Sequence, residues 1–183
     1  MTNNSNVSTV NGQRGFQVGN FNQEDVQVGI NNLFVPAAKD PDWVAYSAGQ
    51  VLSFGAEEVE GNEEEVYINS QIYHSYNIGS DIVPHVHWVP PSDEVTKVVR
   101  WALEYEWVNI GGSFSGTTTI YLDAPTNNDS DTHLMPSFAP ITGTGKTESA
   151  FLICRFYRNS SHANDTYTDS AYLIGFDFHI QQN

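Results

Sequence analysis

The fold is decided by residues 99–107, which read Val-Arg-Trp-Ala-Leu-Glu-Tyr-Glu-Trp. Side chains of a β-strand point alternately to its two faces, so a strand buried on one face alternates apolar and polar residues. One face here carries Val99, Trp101, Leu103, Tyr105 and Trp107, and the other carries Arg100, Glu104 and Glu106. We therefore expect a strand whose apolar face, with Trp101, Leu103 and Tyr105, points into a core.

Other segments of the chain repeat this β pattern between turn-forming residues. Residues 150–157 are almost continuously apolar and aromatic, which predicts a strand buried on both faces with Ile153 pointing inward. Residues 172–180 alternate again and should direct Phe176 and Phe178 into the core. No stretch shows a helical apolar stripe of two turns. About eight short strands predict an all-β fold, a jelly-roll-like antiparallel β-sandwich.

The first part of the chain differs from the rest. Residues 1–13 hold Asn, Ser, Thr and Gly with almost nothing to bury, whereas residues 14–34 include Phe16, Phe21, Leu33 and Phe34. This composition predicts an extended N-terminal arm at residues 1–42, flexible or ordered on a neighbouring subunit. The β-sandwich domain is then expected at residues 43–183.

The composition limits the function. In 183 residues, 22 acidic side chains face 7 basic ones, and the net charge of −15 should repel nucleic acid. Cys154 is the single cysteine, so an intrachain disulfide and a multi-cysteine zinc site are excluded. No signal peptide and no apolar run long enough to cross a bilayer is recognisable, and we expect no membrane partner.

Residues 81–91, Asp-Ile-Val-Pro-His-Val-His-Trp-Val-Pro-Pro, place His85 and His87 on one strand face. Such a pair can bind a metal, line a subunit contact or form a polar surface. Cupin metal sites open with His-x-His, but a carboxylate is then expected about four residues later, where Pro91 and Ser92 stand.

A third metal ligand is not fixed by the sequence. His133, His162 or His179 could supply it, and three copies of the His-x-His pair could also surround a threefold axis. We predict no metal and no cofactor. Instead we expect polar face residues near a subunit contact, and the candidates for that contact are His85, His87, His74 and Tyr76.

Two other functional motifs receive little support. Residues 143–147, Gly-Thr-Gly-Lys-Thr, suggest a phosphate-binding loop, but Pro140 occupies the position of its first glycine and a strand follows in place of a helix. These residues are interpreted as a turn. No catalytic serine, zinc-protease or nucleophile-elbow motif is present, so no catalytic residue is predicted and the chain is not expected to be an enzyme.

Five blocks of sequence together resemble a known family. They are residues 73–76 (Tyr-His-Ser-Tyr), 79–88 (Gly-Ser-Asp-Ile-Val-Pro-His-Val-His-Trp), 99–112, 152–158 and 165–179. In this order they resemble an uncharacterised family of virion structural proteins from tailed bacteriophages that carries a His-x-His-Trp strand. Tyr73 replaces a proline of that family, and Val83 replaces the first histidine of its triple.

The resemblance implies a virion structural protein that is synthesised in the host cytoplasm. With the acidic sandwich and the arm, it suggests a capsid decoration (cement) protein that forms homotrimers and stabilises contacts between subunits of the phage major capsid protein. A tail or fibre component is the alternative among structural proteins. A carbohydrate-binding or cupin-like metal-binding β module is the alternative from another class.

Overall fold

The computed structural model describes residues 23–56 and 59–183, together with the backbone of residues 9–10 and 13–14. In this part of the chain the one helical element is a 3₁₀ turn at Ile30–Asn32, and no helix is long and apolar enough to cross a membrane. The strands are β1 (Thr9–Val10), β2 (Gln13–Arg14), β3 (Gln23–Gly29), β4 (Asp42–Tyr46), β5 (Gly49–Phe54), β6 (Glu65–Gln71), β7 (Val83–Val89), β8 (Val98–Val108), β9 (Thr118–Pro125), β10 (Phe151–Arg158) and β11 (Ala171–Gln181).

Two antiparallel sheets form a sandwich, which confirms the predicted all-β fold. The first sheet has the order β6-β10-β8-β9. In the second sheet, β11 pairs with β7 along one edge, and with β5 and then β3 along the other. Strand β4 continues this sheet beyond β5, while β1 and β2 pair only with each other. The long last strand thus brings β3 and β7 to its two sides.

Aromatic side chains fill the space between the sheets. Trp101 is fully buried, stacks on Phe156 with ring centroids 5.0 Å apart, and meets Phe54 edge-on at 5.4 Å. Such ring pairs add to the free energy gained by burying their area. The predicted inward direction of Trp101, Leu103, Phe176 and Phe178 is confirmed by their burial, and Tyr105 packs half-buried against the same core.

The prediction that Ile153 points into the core is wrong. Ile153 is 41% exposed and lies with Phe151 on the outer face of the first sheet, while Leu152 and Cys154 point inward. Strand β10 is central in its sheet, but a two-layer sandwich covers only one of its faces. An uninterrupted apolar run therefore does not prove burial on both faces.

Residues inside the predicted arm belong to the sandwich. Strand β3 pairs with β11 from Gly175 to Gln181, and its Val26 and Val28 are buried. Phe34 and Tyr67 exchange backbone hydrogen bonds of 3.0 and 2.9 Å, which attaches the following segment to β6. Strand β3 and the segment at Phe34 thus pair with strands of their own chain, although the sequence placed residues up to 42 in the arm. The side chains of residues 1–22 lie outside the described part of the structure.

Candidate functional site

Histidine and aspartate side chains gather on the outer face of the second sheet. His85 of β7 lies opposite Asp177 of β11, and His179 of β11 lies opposite Asp25 of β3. His85 and His87 share this face, as predicted, because the intervening Val86 is directed into the core. We refer to the following six side chains as the histidine face: Asp25, His85, His87, His133, Asp177 and His179.

Asp177 lies at the centre of the histidine face and is only 4% exposed. Its Oδ2 accepts a 2.7 Å hydrogen bond from Nε2 of His87. Its Oδ1 lies 3.1 Å from Nδ1 of His85 but has no aligned hydrogen bond. Burial favours the neutral carboxyl and raises its pKa, but the two imidazoles outweigh this effect, and the pKa of Asp177 lies below its ordinary value. Asp177 is therefore a carboxylate at neutral pH.

His87 connects Asp177 to His133. Nε2 of His87 donates to Asp177, and Nδ1 of the same ring lies at hydrogen-bond distance, 2.9 Å, from Nε2 of His133. The two rings are stacked with centroids 5.1 Å apart. Burial, and then the charge of a protonated His87, lower the pKa of His133. The lowered pKa favours the neutral form of His133.

The other end of the histidine face contains Asp25, His85 and His179. Nδ1 of His179 lies 2.8 Å from Oδ1 of Asp25, and the rings of His85 and His179 have centroids 5.4 Å apart. One ligand atom from each of the three residues lies within 4.8 Å of the other two. These groups could therefore hold a metal ion within a single chain.

The sequence-based ligand count missed this group of side chains. The sequence shows two imidazoles on one strand but does not indicate where the side chain of His179 points. Its composition also places Asp25 in the N-terminal arm. The strand register brings residues 25 and 179 together across 154 positions of sequence. Alternation within β3 and β11 marks both side chains as outward-facing, but it does not show that these strands are neighbours.

The other two candidates for a subunit contact lie elsewhere. The His74 side chain is 84% exposed, and its Nδ1 lies 3.9 Å from a carboxylate oxygen of Glu148. Tyr76 is fully buried, its hydroxyl donates to the carbonyl of Ser80, and its ring packs against Trp107. Tyr76 therefore offers no surface to a second subunit. Its alternating position in a short polar segment does not distinguish a buried ring from an exposed one.

The Gly-rich segment at 143–147 is a turn, as predicted. The N–H of Lys146 donates to the carbonyl of Gly143 at 2.8 Å, and strand β10 follows the turn. Gly143 is needed for packing, because a Cβ there would lie 1.6 Å from the carbonyl oxygen of Ser80. Its N–H also donates to Asp81 at 3.0 Å. This glycine thus joins two turns and does not form part of a phosphate cradle.

In the described part of the chain, the exposed aromatic side chains that could stack on a sugar are Phe34, Trp43, Tyr73, Phe114, Tyr121 and Phe151. Trp88, Trp101 and Trp107 are buried, so Trp43 on the edge strand β4 is the one exposed indole of the chain's four. It is 43% exposed.

No protein-family model matches the chain, and no curated protein sequence matches it. Solved structures with a similar fold include the xylan-binding domain CBM22-2 of Xyn10C from Paenibacillus barcinonensis, with 11% identity, a TM-score of 0.42, and coverage of 89% of this chain and 94% of that one. Another is the CBM36-1 domain of a multidomain xylanase from the hindgut metagenome of Trinervitermes trinervoides, with 9% identity, a TM-score of 0.41, and coverage of 85% and 95%. A family 35 carbohydrate-binding module from Clostridium thermocellum has 8% identity, a TM-score of 0.41, and coverage of 86% and 98%. The chain is thus similar to β-sandwich modules, at a level that carries no functional conclusion.

Proposed function

We propose that the protein is a non-enzymatic structural protein of a bacteriophage virion, a capsid decoration protein that forms homotrimers on the head. The observation that carries this proposal is the ordered set of sequence blocks around the His85-x-His87-Trp88 strand. A compact acidic sandwich suits such a role, since its net charge of −15 disfavours the packaged genome as a partner and favours a basic protein surface.

A decoration protein needs a surface that binds its neighbours, and the first sheet offers one. Its outer side carries apolar or aromatic side chains on the neighbouring strands β6 and β10: Phe34 is 64% exposed with its ring 6.1 Å from that of half-buried Tyr67, and Phe151 and Ile153 of β10 are exposed. Apolar residues grouped on a surface are typical of protein–protein contacts. We call Phe34, Tyr67, Phe151 and Ile153 the apolar patch and assign to it the contact with the major capsid protein.

The histidine face would then lie at the contact between trimer subunits. The His85 and His87 side chains retain 12% and 22% of their surface in the single chain, so their outer edges are open to a partner. His74 belongs to a different part of the surface, and Tyr76 is not part of this contact.

Quantitative mass spectrometry of purified virions tests the role. We expect the protein to be present in copy numbers comparable with those of the major capsid protein. A handful of copies per particle would instead indicate the tail or fibre component, and absence from washed virions would contradict a structural role altogether.

A further inference from the structure

Three side chains with metal-ligating atoms are held together by three adjacent strands. Asp25, His85 and His179 come from β3, β7 and β11, and paired strands fix the positions of their Cα atoms. Their ligand atoms lie within 4.8 Å of one another. A site on hydrogen-bonded strands is better preorganised than one on loops, because fewer backbone torsions must be fixed when the ion binds.

We infer that Asp25, His85 and His179 bind one divalent transition-metal ion, such as Zn²⁺, on the histidine face. Two imidazole nitrogens and one carboxylate oxygen suit this class of ion, whereas Mg²⁺ and Ca²⁺ prefer oxygen ligands. Ligands on tetrahedral zinc are about 3.3 Å apart, given bonds of about 2.0 Å. The 2.8 Å separation between His179 and Asp25 requires only a small side-chain movement to reach that spacing.

Asp177 provides a second, independent observation. Its Oδ1 is buried, has no aligned hydrogen bond, and lies 3.1 Å from Nδ1 of His85. A carboxylate close to one nitrogen of an imidazole favours the proton on that nitrogen electrostatically, so the other nitrogen can present its lone pair to the ion. Asp177 thus acts as a positioning residue for His85.

The charges of the site also favour a cation. Asp25 and Asp177 have imidazoles as their ion-pair partners, and no Lys or Arg pairs with either of them in the described residues. On the opposite sheet, by contrast, Glu63, Glu65 and Glu104 form ion pairs with Arg155. The histidine face therefore brings two carboxyl groups together without a Lys or Arg side chain beside them, an arrangement that favours a divalent cation.

Solvent can reach the proposed ligands. The side chain of Asp25 is 43% exposed and that of His179 is 28% exposed, so an ion can enter without opening the core. His87 is excluded from the ligand set because Asp177 and His133 engage both of its ring nitrogens. The inference concerns a single chain and does not depend on the virion role.

Titration of the full chain with Zn²⁺ tests the inference, after removal of metal with a chelator. Isothermal titration calorimetry should give one ion per chain, and Co²⁺ should give the visible absorption of a site with nitrogen ligands. Asp25→Asn, His85→Gln and His179→Gln should each weaken binding at least about tenfold, because each removes a ligand. All three side chains lie on the outer face of the sheet and are replaced by residues of similar size, and far-UV circular dichroism verifies the fold.

Two matched histidine variants serve as controls, His74→Gln and His162→Gln, because both side chains are exposed and lie outside the histidine face. Both should bind Zn²⁺ as the unmodified chain does. Asp177→Asn should weaken binding by about 10- to 100-fold while keeping one ion per chain, as expected when a carboxylate behind a ligand is neutralised. Binding that is lost in a control but kept in the ligand variants overturns the assignment. One ion per three chains, or no saturable binding, also overturns it.

Discussion

At the scale of single residues, Arg158 shows how a charge is accommodated in the core. Its guanidinium is 1% exposed, and its Nε and Nη2 donate to the two oxygens of Asp165 at 3.0 and 2.8 Å. Nη1 donates to the carbonyls of Phe54 and Asp169 at 3.2 and 2.7 Å. The planar group thus joins β10 to β5 and to the loop before β11, which links two of the sequence blocks that carry the resemblance.

Replacing Arg158 by Met should be strongly destabilising. The substitution leaves the buried carboxylate of Asp165 without its counter-charge, so we expect the free energy of unfolding to fall by about 3–5 kcal/mol. Arg100→Met is the matched control, because its partner Asp123 is 41% exposed and a surface pair contributes about 1 kcal/mol or less. Urea denaturation of both variants measures the difference, and equal losses would contradict the role given to Arg158.

Asp177 predicts a pH dependence of stability. A carboxyl whose pKa is lower in the folded than in the unfolded chain stabilises the fold above its unfolded pKa, about 3.9, and this contribution is lost as the pH falls through the folded pKa. In chelator, Asp177→Asn should therefore cost about 1–3 kcal/mol at neutral pH. The difference from the unmodified chain should begin to shrink as the pH falls below about 4 and vanish once the pH is below the folded pKa of Asp177. Urea titrations across this range check the prediction, and a difference that persists in acid would contradict it.

Cys154 is a further residue whose behaviour is fixed by its surroundings. It is 1% exposed, and burial raises the pKa of its thiol far above the ordinary value. Because the thiolate is the reactive form, a maleimide should label Cys154 only after unfolding. Rapid labelling of the native chain would show that β10 opens readily or that its inner face is not packed as described.

At the scale of elements, strand β3 distinguishes the arm from the domain. Removing residues 1–22 should leave the free energy of unfolding nearly unchanged. Removing residues 1–32 also deletes β3 with the buried Val26 and Val28, and each buried valine contributes about 1.5–3 kcal/mol. The longer deletion should therefore lower stability by at least about 3 kcal/mol. Equal free energies of unfolding for the two truncated proteins would show that β3 does not stabilise the domain and belongs to the arm.

Strand β10 supports a second prediction, which rests on the proposed capsid contact. Replacing Phe151 and Ile153 together by Ser should weaken attachment to undecorated capsids, because both lie in the apolar patch and face outward. Ile110→Ser is the control, since Ile110 is 79% exposed but is not part of the patch. Co-sedimentation with capsids measures attachment. Equal attachment of the control and the double variant would show that the apolar patch is not part of the contact with the capsid.

The same elements show what the sequence can predict and what it cannot. Alternation identified β8 and β11 and the inward direction of Trp101 and Phe178, because the side-chain period of a strand is local information. Neighbouring strands and their register depend on contacts distant in sequence. Asp25 therefore could not be assigned to His179, and the exposed side of Ile153 could not be distinguished from a buried one.

At the scale of the whole molecule, the proposed function would use the outer surfaces of both sheets. The apolar patch on the first sheet is assigned to the capsid, and the histidine face on the second sheet is assigned to the subunit contact and to a metal ion. Sedimentation equilibrium should give the mass of a trimer for the isolated protein. If the isolated protein sediments as a monomer even at high protein concentration, it does not form a stable trimer in solution.

Electron cryomicroscopy of the intact virion tests the central claim most directly. The account predicts a trimer of β-sandwiches on the outside of the head, with the sheet β6-β10-β8-β9 against the major capsid protein and the histidine faces directed towards one another. A map in which the sandwich occupies the tail, or in which the apolar patch faces solvent on every copy, would contradict the account.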